Sequence, residues 1–212
     1  MKCDKKYMFL YAVTDRRWAT KQSLYEQIEC AIKGGITCLQ LREKDLGADK
    51  FFAEAAEIKK LCNKNNIPFI INDNADIAVK CGADGLHIGQ EDMAASDARK
   101  LIGDDMILGV SAQTVEQAVK AERDGADYLG VGAVFNTSTK TDAADVPLET
   151  LKKICAAVSI PVVAIGGINE ENISQLKGSG IDGAALVSAI FAAKDVEKSC
   201  KTLAEKLKGV VE

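Results

Sequence analysis

The sequence has a single histidine, His87, and none of its seven cysteines stands in a C-x-x-C pair. A zinc site needs that kind of ligand spacing, so zinc chemistry is not expected. Basic excess is also missing: 27 Lys and Arg face 31 Asp and Glu, for a net charge of −4. Non-specific nucleic-acid binding rests on a basic surface, so no nucleic-acid partner is expected, although a local cationic pocket stays open. No apolar run reaches membrane-spanning length, which argues against an integral membrane protein. No secretory leader is recognisable, and Cys3, Cys30, Cys38, Cys62, Cys81, Cys155 and Cys200 are odd in number and scattered. That combination predicts reduced thiols in a cytoplasmic protein, most of them small core hydrophobes.

What is present is ordinary in bulk and patterned in detail. The chain is 212 residues long, 47% hydrophobic and 27% charged, near the soluble globular average. A single domain spanning 1–212 buries most of its unfolded surface without staples. Four segments repeat one design: GGITCLQLR from Gly34, CGADGLHIG from Cys81, DGADYLGVG from Asp124 and GSGIDGAALVS from Gly178. Each follows an amphipathic stretch. Each sets a glycine where a helix would end (Gly35, Gly82, Gly125, Gly180), then usually an Asp, then an apolar run. The run reads as a buried parallel strand.

Between these segments lie YMFLYAVT from Tyr7, IPFIIN from Ile67, MILGVS from Met106 and IPVVAIGG from Ile160. Pro68 and Pro161 stand at strand starts, where a missing N–H does little harm. Helical patterns over Phe51–Lys64, Thr114–Asp124 and Leu148–Ala157 fill gaps between strands. Eight strands alternating with helices predict an α/β chain closed as a (β/α)8 TIM barrel; a doubly wound open sheet is the rival.

In a barrel the catalytic groups gather at the C-terminal ends of the strands. QLREK, from Gln40 to Lys44, leaves the second strand; alternation places Gln40, Arg42 and Lys44 on one side and Leu41 and Glu43 on the other. The third strand ends in Asn72-Asp73, the fourth in His87 with Asp92 in its loop, and the fifth in Ser111. Asp73 and Asp92 would meet beside Arg42 and Lys44, an arrangement suited to Mg²⁺ and a polyphosphate. The competing reading is that each aspartate caps the next helix. A second anion site is expected at the far side, where GGI from Gly166 and Val187-Ser188, at the start of a short helix, offer backbone N–H groups. The sixth loop, NTSTKTDAAD around Lys140, is long and hydroxyl-rich. His87 is expected to be a hydrogen-bonded structural residue sooner than a catalyst. Two anion sites suggest two substrates being joined, or one doubly phosphorylated substrate.

QLREK, IND at Ile71, DGLHIGQEDM from Asp84, GVS at Gly109, TSTK at Thr137, AIGGIN and LVSAIF, in this order, resemble the thiamine phosphate synthase family over nearly the whole chain; YAVTD at Tyr11 fits as well. The resemblance implies a transferase that joins a pyrimidine methyl diphosphate to a thiazole phosphate, commonly carboxylated. Gln40, Leu41, Arg42, Glu43, Lys44, Asn72, Ser111 and Lys140 would then bind the pyrimidine diphosphate. Of these, Arg42, Lys44, Ser111 and Lys140 would serve the chemistry. Asp73 and Asp92 would hold Mg²⁺, and Thr137, Ser138, Thr139, Gly167, Val187 and Ser188 would bind the thiazole phosphate. The partners implied are small molecules, and assembly into a homo-oligomer is compatible with all of this. Asn136 stands where the family usually has proline before the loop's first threonine. A thiazole tautomerase of the same fold and a Schiff-base aldolase using Lys140 are the rival activities, and a non-catalytic phosphate-binding protein is the remaining class.

Overall fold

The eight strands β1 (Leu10–Val13), β2 (Cys38–Leu41), β3 (Phe69–Asn72), β4 (Gly85–Ile88), β5 (Ile107–Ala112), β6 (Tyr128–Val131), β7 (Val162–Ile165) and β8 (Gly183–Leu186) close on themselves in a computed structural model that describes residues 3–137 and 145–211. All neighbours are parallel and in chain order, and β1 pairs with β8 through Tyr11 opposite Ala185. That last pairing removes the open-sheet rival: no strand is left as an edge.

Helices α1 (Leu24–Lys33), α2 (Ala48–Lys64), α3 (Ala75–Cys81), α4 (Ala95–Ile102), α5 (Val115–Arg123), α6 (Leu148–Ala157), α7 (Ser188–Phe191) and α8 (Val196–Val211) pack outside the strands. The alternation is not perfect. Between β7 and β8 the chain forms only a 3-10 turn, Ile173–Leu176. Asn169 explains the start, because its Oδ1 accepts the N–H groups of Glu171 and Asn172 and so competes with a helix. Gly178 and Gly180, both left-handed (φ +73° and +85°), close the segment.

The repeated glycine-then-Asp design has a structural meaning at the N-terminal rim. Asp84, Asp127 and Asp182 precede β4, β6 and β8, and each accepts the backbone N–H at the start of the preceding strand: Phe69 (2.8 Å), Leu108 (2.8 Å) and Val162 (2.9 Å). Thr37 does the same for Leu10 (2.9 Å) ahead of β2. Each carboxylate also meets a cation, Lys59, Arg99 or Lys5 respectively. The barrel is thus four copies of a two-strand unit tied by one side chain each. Asp127→Ala leaves the Leu108 N–H and Arg99 short of an acceptor and is expected to cost about 2 kcal/mol of stability. Turnover at low temperature should be kept, since this rim lies opposite the mouth. A thermal melt checks it; a loss under about 0.5 kcal/mol would mean the repeated carboxylate is dispensable.

The core has two layers. Leu10, Leu39, Leu41, Phe69, Ile71 and Leu129 face the helices. Tyr11, Val13, Cys38, Ile70, Ile107, Tyr128 and Val163 fill the barrel, with Met8 among them. Tyr128 fits because Gly109 on β5 has no side chain: a Cβ there would lie 2.2 Å from the phenol ring. The seven cysteines are free, and burial pushes the Cys3, Cys62 and Cys200 thiols up to about 12. Cys38, Cys62 and Cys200 are buried as core hydrophobes, while Cys3, Cys30, Cys81 and Cys155 are half-buried. No described helix is long and apolar enough to cross a membrane.

Candidate active site

β2 ends at Leu41, so strand alternation governs only the first two residues of QLREK. Gln40 points inward and donates from Nε2 to Tyr11 Oη at 2.9 Å. Leu41 points outward and is fully buried under the helices, so it could meet a ligand only through its backbone. Arg42 is held from behind: its N–H donates to Thr14 Oγ1 at 2.9 Å. Among the described residues the Arg42 guanidinium has no hydrogen bond or ion pair; burial pushes the Asp15 carboxyl up, while hydrogen bonds from Arg17 and, last, the Arg42 charge bring it below its usual range.

Glu43 braces its neighbours and also lines both pockets at the mouth. Its buried carboxylate takes Arg16 Nε at 2.7 Å and the Lys44 N–H at 3.2 Å, and Arg16 also reaches Glu54 at 2.5 Å. Arg42, Lys44, Arg16 and Arg17 line a pocket of about 340 Å³. Reading the strand ends from β2 onward misses Arg16 and Arg17. They follow β1 directly in TDRRW, so the strand-end rule applied to β1 would have found them.

The adjoining pocket, about 430 Å³, shares Lys44 and includes Asn72 and Asp73. Asp73 sits at φ +61°, an uncommon conformation for a residue with a side chain, and its N–H donates to the His87 carbonyl at 2.8 Å. Lys44 Nζ meets Asp73 Oδ2 at 2.5 Å. Asp92 Oδ2 accepts the Gly89 N–H at 2.7 Å, and its carboxyl lies within hydrogen-bonding reach of Asp73. Loss of water, then the Asp73 carboxyl, hold the Asp92 carboxyl above its usual range against the pull of Gly89 N–H and Lys44.

Neither aspartate caps a helix. Asn74 Oδ1 caps α3 by accepting the Ile77 N–H, and α4 starts after Ala94 with no side-chain cap. The capping alternative is therefore removed for both. Two adjacent carboxylates with no histidine or cysteine partner fit a hard divalent cation that draws its other ligands from water and phosphate. No larger group of metal-ligating side chains occurs among the described residues.

Asn72, 9% exposed, lies opposite His87 in the β3–β4 register. His87 bridges Tyr128 Oη (2.9 Å from Nδ1) and Ser111 Oγ (3.0 Å from Nε2), and Gln90 Nε2 donates to the Ser111 carbonyl at 2.6 Å. His87 is hydrogen-bonded as expected, but its partner at one end is the candidate site residue Ser111.

At the far side α7 begins at Ser188 with Val187 as its N-cap. One turn carries little dipole, so this end offers backbone N–H groups rather than a field. Gly167 has φ +66°, and a Cβ on it would lie 2.4 Å from the Asn136 carbonyl oxygen and 2.6 Å from that of Phe135. Its missing side chain therefore makes room for the β6 loop first. Thr137 ends the described part of that loop; Ser138, Thr139 and Lys140 lie outside the described residues. Gly167→Val is expected to displace Phe135 and Asn136, lowering thermal stability as well as raising the KM of any ligand seated there. Wild-type stability with only a raised KM would show that the loop yields freely.

The sequence profile described as thiamine monophosphate synthase matches residues 10–190. A thiamine-phosphate synthase from Clostridium tetani is 54% identical over 194 residues, 92% of this chain and 93% of that protein. One from Methanobrevibacter smithii is 47% identical over 94% of this chain and 95% of that protein. The solved thiamine phosphate pyrophosphorylase from Pyrococcus furiosus superposes with TM-score 0.90 at 36% identity, covering 98% of this chain and 99% of that one.

Proposed function

The chain belongs to the thiamine monophosphate synthase family, and on that premise we propose that its one barrel joins the diphosphate of 4-amino-2-methyl-5-hydroxymethylpyrimidine to a thiazole phosphate. The products are thiamine phosphate and diphosphate, with CO₂ when the thiazole is carboxylated. Support comes above all from the meeting of Asp73, Asp92 and Lys44, with Lys44 sharing a pocket with an Arg42 guanidinium that has no hydrogen bond or ion pair among the described residues. A diphosphate leaving group needs positive charge, which a divalent ion held by the two carboxylates would supply together with Lys44 and Arg42, and no protein nucleophile is required.

In this reading Asp73 and Asp92 hold Mg²⁺, which when bound offsets charge on the departing diphosphate. The bond between the pyrimidine methyl carbon and the diphosphate oxygen breaks, and its electron pair leaves with the diphosphate. Arg42 and Lys44 stabilise that developing charge; Lys140 has the same role by family resemblance. The electron-rich aminopyrimidine spreads the positive charge left on the methyl carbon. Gln40 and Asn72 orient the pyrimidine, and Ser111 meets the diphosphate. Thiazole nitrogen, held by its phosphate at Thr137, Ser138, Thr139, Gly167, Val187 and Ser188, supplies the electron pair for the new C–N bond. The reaction is one of the cytoplasm between two small molecules.

The test is to mix purified protein, both substrates and Mg²⁺. Thiamine phosphate and diphosphate should appear one for one. Isomerised thiazole with no diphosphate would favour the tautomerase; ligand binding without turnover would favour a phosphate-binding protein.

A further inference from the structure

Five side chains make an unbroken row across the barrel interior. Gln40 Nε2 donates to Tyr11 Oη at 2.9 Å, and Tyr11 Oη lies 2.7 Å from Tyr128 Oη. Tyr128 Oη lies 2.9 Å from His87 Nδ1, and His87 Nε2 lies 3.0 Å from Ser111 Oγ. The two ends, Gln40 on β2 and Ser111 on β5, belong to the candidate site for the pyrimidine diphosphate, while the three middle residues have no part in the mechanism above. Tyr11 and Tyr128 are fully buried, and burial pushes both phenols well above their usual range, so each keeps its proton.

A phenol has one proton to donate, and a neutral imidazole has one N–H. The direction chosen at one end therefore fixes every bond in the row. The Gln40 nitrogen only donates, so the Tyr11 oxygen accepts at that end. Tyr11 must then place its own proton. Tyr128 Oη is a good acceptor; among the described residues the competing acceptor is the Cys38 sulfur, a weak one. A buried O–H without a good partner is costly, so Tyr11 donates to Tyr128. Tyr128 next donates to His87 Nδ1, and the ring keeps its proton on Nε2 and gives it to Ser111 Oγ. Ser111 is left to direct its own proton away from the histidine, toward the mouth.

We propose that this row is a one-way hydrogen-bond chain that fixes the Nε2–H tautomer of His87 and makes Ser111 a donor to the ligand's diphosphate. Tyr11, Tyr128 and His87 are then positioning residues. The second half rests on the proposed function; the tautomer does not. The Gln40 amide sets the polarity, since a carbonyl oxygen turned toward Tyr11 would reverse every bond.

His87 is the chain's one histidine, so nitrogen NMR of untagged, ligand-free protein reads its tautomer without overlap. At about pH 8, where an ordinary imidazole is neutral, Nε2 should carry the proton and Nδ1 should be bare. A dominant Nδ1–H form overturns the proposal. Gln40→Glu replaces the donor by a carboxylate that only accepts, and should invert the tautomer; an unchanged tautomer overturns the chain's polarity. Tyr128→Phe keeps the ring but cuts the row, and should lower kcat about tenfold, the worth of one hydrogen bond, with the thiazole KM unmoved. Normal turnover in Tyr128→Phe with the expected tautomer would make the row merely structural. The two tautomer measurements stand whether or not Tyr128→Phe folds. A wild-type protein with the expected tautomer but no synthase turnover would instead defeat the proposed function.

Discussion

Arg42→Met should lower kcat by about two to three orders of magnitude, the usual effect of removing a charge that meets developing anionic charge. The same change should barely move the thermal midpoint. Its backbone is held by Thr14 whatever the side chain, and its guanidinium has no described partner to lose. A half-buried cation without its ligand is unfavourable, so stability could even rise. Glu43→Gln, one residue on, should do the reverse. Glu43 braces Arg16, which keeps Glu54 as its second carboxylate. Arg16 is partly exposed, so the loss should be about 1 kcal/mol, with kcat changed little. Turnover and melting of the two variants, measured side by side, separate the roles. Wild-type turnover in Arg42→Met would reduce the QLREK cations to surface charge.

That contrast between neighbours shows how much of the site the sequence carries. Polar residues trailing an apolar run identify the mouth once a barrel is inferred, and Gln40, Lys44, Asp73, Asp92 and Ser111 all lie there or beside it. The barrel itself is legible because the glycine-then-Asp design recurs ahead of the even strands. All four of its glycines adopt left-handed backbone, and three of its aspartates tie strand starts. Helix α6 has the predicted limits, while α2 starts three residues early, at Ala48, after a glycine cap with no side chain to announce it.

Less legible is anything decided by closure. Tyr11 and Tyr128 sit inside apolar strands and read as core; only the closed barrel brings hydroxyls 117 positions apart within 2.7 Å. DNAD offers several candidate caps within four residues, and backbone geometry, not composition, selects Asn74 and releases Asp73. Glycine at 167 reads as space for phosphate until the β6 loop is seen to occupy it.

The released aspartates carry the remaining large effect. Chelation of divalent cations with EDTA should abolish turnover, and added Mg²⁺ should restore it. Asp92→Asn keeps an oxygen for the Gly89 N–H but loses the charge, and should raise the Mg²⁺ concentration for half-maximal activity by at least about a hundredfold. Stability should respond in two opposite ways. Burial and Asp73 hold the Asp92 carboxyl above its usual range, so its ionisation opposes folding. That opposition is present above the unfolded-state pKa, about 3.9, and disappears as the pH falls below it. Without metal at neutral pH, Asp92→Asn should therefore melt higher than wild type, and the gap should close toward pH 3 (about a unit below that pKa). With saturating Mg²⁺ the order should reverse, because wild type gains the linkage stabilisation of a bound ion and the variant does not. Melting curves of both proteins, with EDTA and with Mg²⁺, give the answer. If wild type melts at the same temperature in both, while keeping full activity in EDTA, then Asp73 and Asp92 hold no metal and the diphosphate is met by Arg42 and Lys44 alone.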